Sequence, residues 1–253
     1  MNQSAIRTLQ LIELLAQRGP LSLAAIASCL ELNKSTAHRF TNTLLRAGYL
    51  RQDPQSRMYA LTMKIVGLGS QVLDRVDVVR ETHAVLEETA ALTHVTAHLG
   101  VTENREVVFI DKVQGGQVVE MASRIGGRAQ CHSTSLGKVL LAARPEAEWL
   151  RYVDEHGLGG RTPRTITTAD RLFAELRRVR DRGYAVDNGE NEDGIRCVGA
   201  PIRNHTGEVV AALSASGWVV SMTRARIDEL VPIVVSQASK ASLRLGFTAS
   251  ATP

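Results

Sequence analysis

Ser35, Thr36, His38, Arg39 and Asn42 fall within eight residues, at a spacing that gathers them on one side of a helix. Asn and Arg each offer two parallel hydrogen bonds to a base edge, while Ser, Thr and the neighbouring Lys34 suit phosphate oxygens near a helix N-terminus. No Asp or Glu occurs between Lys34 and Arg46. Carboxylates would repel phosphate, so an acid-free helix face suits a polyanion. A second set lies far along the chain. Ser214 and Ser216 alternate in a strand-like run, which puts both hydroxyls on one face. Amide groups opening a helix near Ser135 would favour an anion. Together these suit a small carboxylate or an aromatic ring with a polar edge.

Three other constellations invite catalytic or metal readings. Ser135-Leu136-Gly137-Lys138 satisfies the S-x-x-K pattern of serine acyl-transfer enzymes, but no S-D-N or K-T-G follows it. Cys197, His132 and Asp187 could form a thiol nucleophile, a base and an orienting acid. A thiol in an apolar strand, between Ile195 and Val198, is more often packed than reactive. Cys131, His132, Asp187 and Cys197 could hold zinc, though their spacing is not diagnostic. No catalytic residue and no cofactor is therefore expected, with zinc kept as the alternative.

The elements that must position these residues follow from periodicity. Ile6, Leu9, Ile12 and Ala16 mark a buried stripe on a helix from about Ser4 to Gln17, which Gly19-Pro20 stops. Ser22 caps a second helix carrying Leu23, Ile26, Ala27 and Leu30, with Cys29 expected in the core. A third runs from Lys34 to about Arg46 with Ala37, Phe40, Leu44 and Leu45 inward, and Gly48 ends it. Two short strand-like runs flank Asp53-Pro54-Gln55-Ser56, forming a hairpin wing that brings Arg51 and Arg57 toward a DNA backbone. Residues 1–62 thus read as a winged helix-turn-helix. Residues 63–76 read as a linker helix, followed by another with a seam at Val78, Val79, Val85, Leu86 and Leu92. From Thr93 on, an antiparallel sheet is expected: strands at Val95–Val101 and Glu106–Val113, a third at Val118–Met121, and later ones near Tyr184, Cys197 and Val209. Helices are expected near Ser135, Glu146, Ala169 and Arg224. The fold class is α+β, with residues 77–253 as a sensor and oligomerisation domain. Trp149 and Trp218 read as packing residues.

Charge supports this division. The 253-residue chain is 44% hydrophobic and 22% charged, with a net charge of +4. Residues 1–62 hold seven Lys/Arg against three acids, while the remainder balances at 23 of each. All the excess positive charge sits in the first quarter, as a polyanion partner requires. Three widely spaced cysteines do not suggest a disulfide framework. No signal peptide or membrane span is visible, and a cytoplasmic protein is expected.

Three stretches resemble the IclR family of transcriptional regulators. They are Ser35–Phe40 with Leu44-Leu45 and Gly48-Tyr49-Leu50, then His132–Ala142, then Arg182–Asp187 with Glu190 and Gly194–Ile202. The resemblance covers essentially the whole chain and implies a GAF-like effector domain with a pocket beside its sheet. It implies effector contacts at Ser135, Leu136, Asp187, Ile195, Cys197, Ser214 and Ser216, with Val118, Met121 and Ala129 as apolar walls. Small residues are common where Ser135-Leu136 stand, so this leucine bears on effector size. The expectation is a ligand-responsive regulator, more often a repressor, acting as a homodimer or a dimer of dimers. Lys34, Ser35, Thr36, His38, Arg39, Asn42, Arg51 and Arg57 would contact double-stranded operator DNA. The alternatives are a hydrolase and a signalling module that does not bind DNA.

Overall fold

Leu11 and Leu15, one helical turn apart, are the side chains that α1 (Gln3–Arg18) sinks into the core of the N-terminal unit. The computed structural model describes residues 3–73, 77–116 and 123–248, and its contacts divide the chain into units Met1–Arg75 and Val76–Pro253. The expected strand Val118–Met121 and positions 74–76 of the expected linker helix lie outside the described residues.

In the first unit, Ser22 caps α2 (Leu23–Cys29) by accepting from the Ala25 N–H, and Asn33 caps α3 (Lys34–Arg46) by accepting from Thr36 N–H at 2.8 Å. Gly48 ends α3 with φ +75°, a conformation open to glycine. β1 (Leu50–Gln52) and β2 (Tyr59–Leu61) pair antiparallel, and Leu21 bridges to Tyr59. The core is Leu11, Leu15, Ile26, Ala37, Phe40, Leu44, Leu50 and Tyr59. Each large apolar side chain there contributes roughly 1.5–3 kcal/mol by leaving water.

Two expectations are corrected. The buried stripe of α1 is not the Ile6-Leu9-Ile12-Ala16 series: Leu9 is 60% exposed and Ala16 is also exposed. The helix carries two adjacent apolar stripes, and spacing alone does not say which one meets α3. Cys29, at the end of a seven-residue helix, is exposed rather than core, with an Arg18 guanidinium N–H directed at its sulfur at 3.7 Å. α4 (Lys64–Leu73) follows in the same unit. It is apolar, yet none of its described side chains is buried.

The second unit begins with α5 (Asp77–Thr93), whose buried stripe includes Thr82, Val85, Leu86, Thr89, Ala90 and Thr93. Leu92, expected in the seam, is 50% exposed. The threonines are disguised: each donates its hydroxyl to the carbonyl four residues back, at 2.6–2.7 Å, which satisfies it inside the core. A six-stranded antiparallel sheet follows, in the order β5-β4-β3-β8-β7-β6. Its strands are β3 (Thr96–Glu103), β4 (Glu106–Val113), β5 (Arg128–Gln130), β6 (Ala185–Asn188), β7 (Ile195–Arg203) and β8 (Val209–Trp218). Asn104 and Arg105, with φ of 49° and 62°, form the two-residue left-handed turn that matches strand twist. α9 (Arg224–Arg244) and α5 cover one sheet face, where Leu99, Leu213, Val198 and Ile202 are fully buried.

α6 (Ser135–Ala142) lies on the other face, with α8 (Ala169–Arg182) packed against α6 and α7 (Glu146–His156) against α8. Every residue of α6 is buried. Two glycines let it lie that close. A Cβ on Gly137 would stand 2.3 Å from the Cys131 Cα, and one on Gly199 of the sheet would meet Ser135 at 3.1 Å. The helix therefore starts directly above the strands, capped by Thr134, whose hydroxyl oxygen accepts the Gly137 N–H at 3.1 Å. Trp149 packs fully buried and donates to the Leu141 carbonyl at 2.7 Å, but Trp218 is 44% exposed at the end of β8 and is not a core residue. Among the described residues, no helix is long and apolar enough to cross a membrane.

Candidate functional site

The polar side of α3 is open. Lys34, Ser35, His38 and Arg39 are exposed, and Thr36 and Asn42 are half-buried. The Ser35 hydroxyl donates to the Asn33 cap at 2.8 Å, and the Asn42 amide lies 3.4 Å from the His38 ring, so the helix holds these side chains in one row. Arg39 lies against Phe40, its guanidinium carbon 5.4 Å from the ring centre. Thr43 and Arg46 share this exposed side, though the sequence reading passed over them. Their signal was present, since they stand four and seven residues after Arg39. Inward, Ala37, Phe40, Thr41 and Leu44 anchor the helix.

The wing is shaped by Asp53. Its carboxylate accepts the Gln55 and Ser56 N–H groups at 3.1 and 2.7 Å and the Ser56 hydroxyl at 2.9 Å. Those bonds hold its carboxyl below the usual carboxylate range. Arg51 and Arg57 are both exposed, and Arg57 sits at φ 59° where the turn closes.

In the second unit, the sheet face under α6 forms the floor of a cavity of about 380 Å³. Strand register explains its chemistry. Thr96, Ser216, Cys197 and Asp187 are consecutive partners across four strands, so their side chains form one row on that face. His98, Ser214 and Gly199 form the next row. Ala129, Ser135, Leu136, Asp187, Ile195, Cys197, Ser214 and Ser216, distant in sequence, all line this cavity. Met121 and Val118 lie outside the described residues. Phe109 and His98 complete the floor, and Arg124, Arg161 and Glu192 stand at its rim. The sequence reading missed this last group. His98 was legible as the cross-strand partner of Ser214 only once register was known, and Arg161 sits in a loop that carries no periodic signal.

Burial governs the cavity's electrostatics. It pushes the Asp187 carboxyl up to about 7, against the opposing hydrogen bond from Glu190 N–H and the positive charge of Lys138. It pushes His98 down to about 3, so that ring is neutral and sits 2.8 Å from the Ser123 hydroxyl. It drives the Cys197 thiol well up and that of Cys131 up to about 12, so both are thiols rather than thiolates at neutral pH.

The catalytic and metal constellations are only partly assembled: Asp187 and Cys197 are cross-strand neighbours, but the other members are engaged elsewhere. Lys138 of the S-x-x-K motif donates to the Val186 carbonyl at 2.6 Å and to Glu190 Oε1 at 2.7 Å, not to Ser135. The His132 ring is held by the Tyr152 hydroxyl at 2.7 Å and the Gly159 carbonyl at 3.1 Å, leaving neither nitrogen for Cys197. Cys131 donates to the Arg105 carbonyl. Among the described residues, no three His, Cys, Asp or Glu side chains are gathered to hold a metal.

A capped, acid-free helix beside a small wing, together with a second unit that carries a polar-floored, partly open cavity, defines a helix-turn-helix regulator with a ligand-sized pocket. The IclR helix-turn-helix model matches residues 4–54, and the model of the bacterial transcriptional regulator IclR C-terminal domain matches residues 70–243. The chain belongs to the IclR family of DNA-binding transcriptional regulators. It is similar to the transcriptional regulator KdgR of Escherichia coli, 33% identical over 244 residues that cover 96% of this chain and 93% of that one. It is also similar to XynR of E. coli, 38% identical over 215 residues and 85% of each chain. The crystal structure of Thermotoga maritima IclR superposes with a TM-score of 0.85 at 34% identity, covering 98% of this chain and 100% of that one. KdgR and XynR are both named as helix-turn-helix-type transcriptional regulators.

Proposed function

We propose that this regulator is a ligand-gated repressor in which the cavity under α6 receives a small organic acid or a polar-edged aromatic metabolite. One observation carries the reading. The first turn of α6, with Ser135 and Leu136, faces Ser214 and Ser216 across a partly open space of about 380 Å³, within the size of a small-molecule site. Helix-opening amides and two hydroxyls suit a carboxylate, while Phe109, Leu136 and Ile195 suit its apolar body. Lys34, Ser35, Thr36, His38, Arg39 and Asn42 read or grip the operator, and Arg51 and Arg57 clamp phosphates.

Two copies pair, so that two recognition helices enter successive major grooves about 34 Å apart and meet a pseudo-palindromic site. The apolar surface left open on the first unit supports pairing: Leu9, Met63, Val66 and Leu68 are 42–76% exposed. A dimer of such dimers extends the same symmetry. The protein works in the cytoplasm, where its DNA lies. Repression needs only occupancy of a promoter. A typical coupling of about 1–3 kcal/mol between cavity and operator would change DNA affinity roughly 5- to 150-fold.

The test is a gel shift on DNA flanking the protein's own gene, with a panel of organic acids. A specific shift that one acid changes, and that a Ser214→Ala/Ser216→Ala variant leaves unresponsive, is expected. An unaltered response in that variant refutes the placement of the effector.

A further inference from the structure

Behind the cavity floor, three ionisable side chains are buried together. Lys138, Glu190 and Asp187 are 1%, 8% and 2% exposed. One cation faces two acids there, and its position decides which acid it serves. The Lys138 ammonium donates to Glu190 Oε1 at 2.7 Å and to the Val186 carbonyl at 2.6 Å. Among the described residues, no cation forms an ion pair with Asp187. Its Oδ1 accepts the Glu190 backbone N–H at 2.6 Å, and it faces the cavity.

The turn joining these groups is tied down from outside. Thr162 donates to the Gly189 carbonyl and Thr165 to the Glu190 carbonyl, both at 2.6 Å, so neither acid can swing into water. Around Asp187 stand the Cys197 thiol across the strand pair, the neutral His98 further along the floor, and Arg161 and Glu192 at the rim. Arg164 and Asp193 pair with each other on the outer side of the turn. A buried carboxyl with no dedicated cation is the group that gives way when charge enters its site.

We infer that Lys138 and Glu190 are positioning residues that set the protonation of Asp187, so that the cavity takes up a proton together with an anionic ligand. The inference rests on the effector reading above and adds the ligand's charge class to it. A carboxylate entering beside ionised Asp187 meets a like charge; beside protonated Asp187 it meets a hydroxyl donor. The proton comes from solvent and goes to the Asp187 carboxyl, and no other bond forms or breaks. With the Asp187 midpoint at about 7, affinity for an anion falls about tenfold for each pH unit above it. A neutral ligand shows no such fall, which gives the cavity a way to discriminate by charge.

The charges of Lys138 and Glu190 act on Asp187 with opposite sign, the ammonium lowering its midpoint and the carboxylate raising it. Lys138→Met therefore raises the midpoint. Glu190→Gln, which keeps the acceptor for Lys138, lowers it. The experiment is a carboxyl-carbon NMR titration of the full chain with labelled aspartate, with Asp187 assigned by its loss in Asp187→Asn. The wild type titrates near neutrality, and the two variants move in opposite directions by on the order of one pH unit. Asp187 titrating in the ordinary carboxylate range in the wild type, or both variants moving the same way, overturns the inference, and neither result depends on the effector.

Acetate, small enough to enter, serves as the anionic probe. It is expected to raise the Asp187 midpoint while shifting the amide signals of Ser214 and Ser216. Acetate that moves those amides but leaves Asp187 unmoved sinks the inference alone. No acetate response anywhere in the cavity takes the effector reading down with it.

Discussion

Gly137→Ala is a sharp test of how the cavity wall is built. The new methyl group would lie 2.3 Å from the Cys131 Cα, 2.5 Å from its carbonyl oxygen and 2.7 Å from its carbonyl carbon. All three are backbone atoms, so no side chain can turn aside. Ordinary contact needs a separation near 3.4 Å or more, so α6 and the turn before it must part by about 1 Å in a close-packed interior. Overpacking of this kind costs roughly 1–3 kcal/mol, opposed by a helix-propensity gain of up to about 1 kcal/mol. For a unit of this size, each kcal/mol moves the melting midpoint by about 2–4 °C. The expected result is a drop of several degrees for the second unit's transition in scanning calorimetry, with the effector response weakened because Ser135 and Leu136 have moved. Gly67→Ala is the control: α4 leaves open space around that glycine, so the substitution holds or slightly raises stability. A Gly137→Ala protein that melts at or above the wild-type temperature refutes the close approach of α6 to Cys131.

Asp187→Asn should stabilise the second unit at pH 8. The folded-state carboxyl titrates near 7, above its unfolded value, so the native state binds the extra proton between about pH 4 and 7 and loses stability as pH rises through that window. The gain is on the order of a few kcal/mol at pH 8 and fades below about pH 4; urea unfolding at several pH values measures it, and a pH-independent difference contradicts it. Cysteine labelling offers another check. Iodoacetamide at pH 8 should modify exposed Cys29 first and reach Cys131 only on unfolding, because its thiol is buried and pushed up to about 12; mass spectrometry of partly labelled protein would expose an error in either placement. Lys138→Ala should destabilise the second unit by roughly 3–5 kcal/mol by stranding Glu190, and Lys138→Met/Glu190→Leu should recover much of that loss. Equal losses in the two variants would mean the pair is not buried as described.

Much of the molecule was legible where local chemistry and periodicity agree. α3 begins at its Asn33 cap and ends before Gly48, and its inward residues repeat at helical spacing. Ser214 and Ser216 alternate on one strand face, as expected. The sequence misled where polarity and burial separate. Thr82, Thr89 and Thr93 look like a solvated face but hide by bonding to their own helix. Leu9 and Leu92 look buried but are half-exposed or more. β5 is three residues long, too short to show alternation. The row of Thr96, Ser216, Cys197 and Asp187 depends on register between strands far apart in the chain, which no single stretch encodes. The Lys138–Glu190 pair was invisible for the same reason: the S-x-x-K spacing drew attention to Ser135, while the partner of the lysine lies 52 residues away.

The central claim is that the exposed side of α3 holds DNA phosphates through positive charge. It is tested most directly by the salt dependence of operator affinity in the wild type and in Arg39→Gln, with Arg178→Gln on α8 as the control. Each lost phosphate contact should reduce the slope of log affinity against log salt by about 1, so Arg39→Gln binds more weakly and with a shallower slope while the control matches the wild type. An Arg39→Gln protein that keeps both the affinity and the slope of the wild type contradicts the assignment of α3 as the DNA-gripping element.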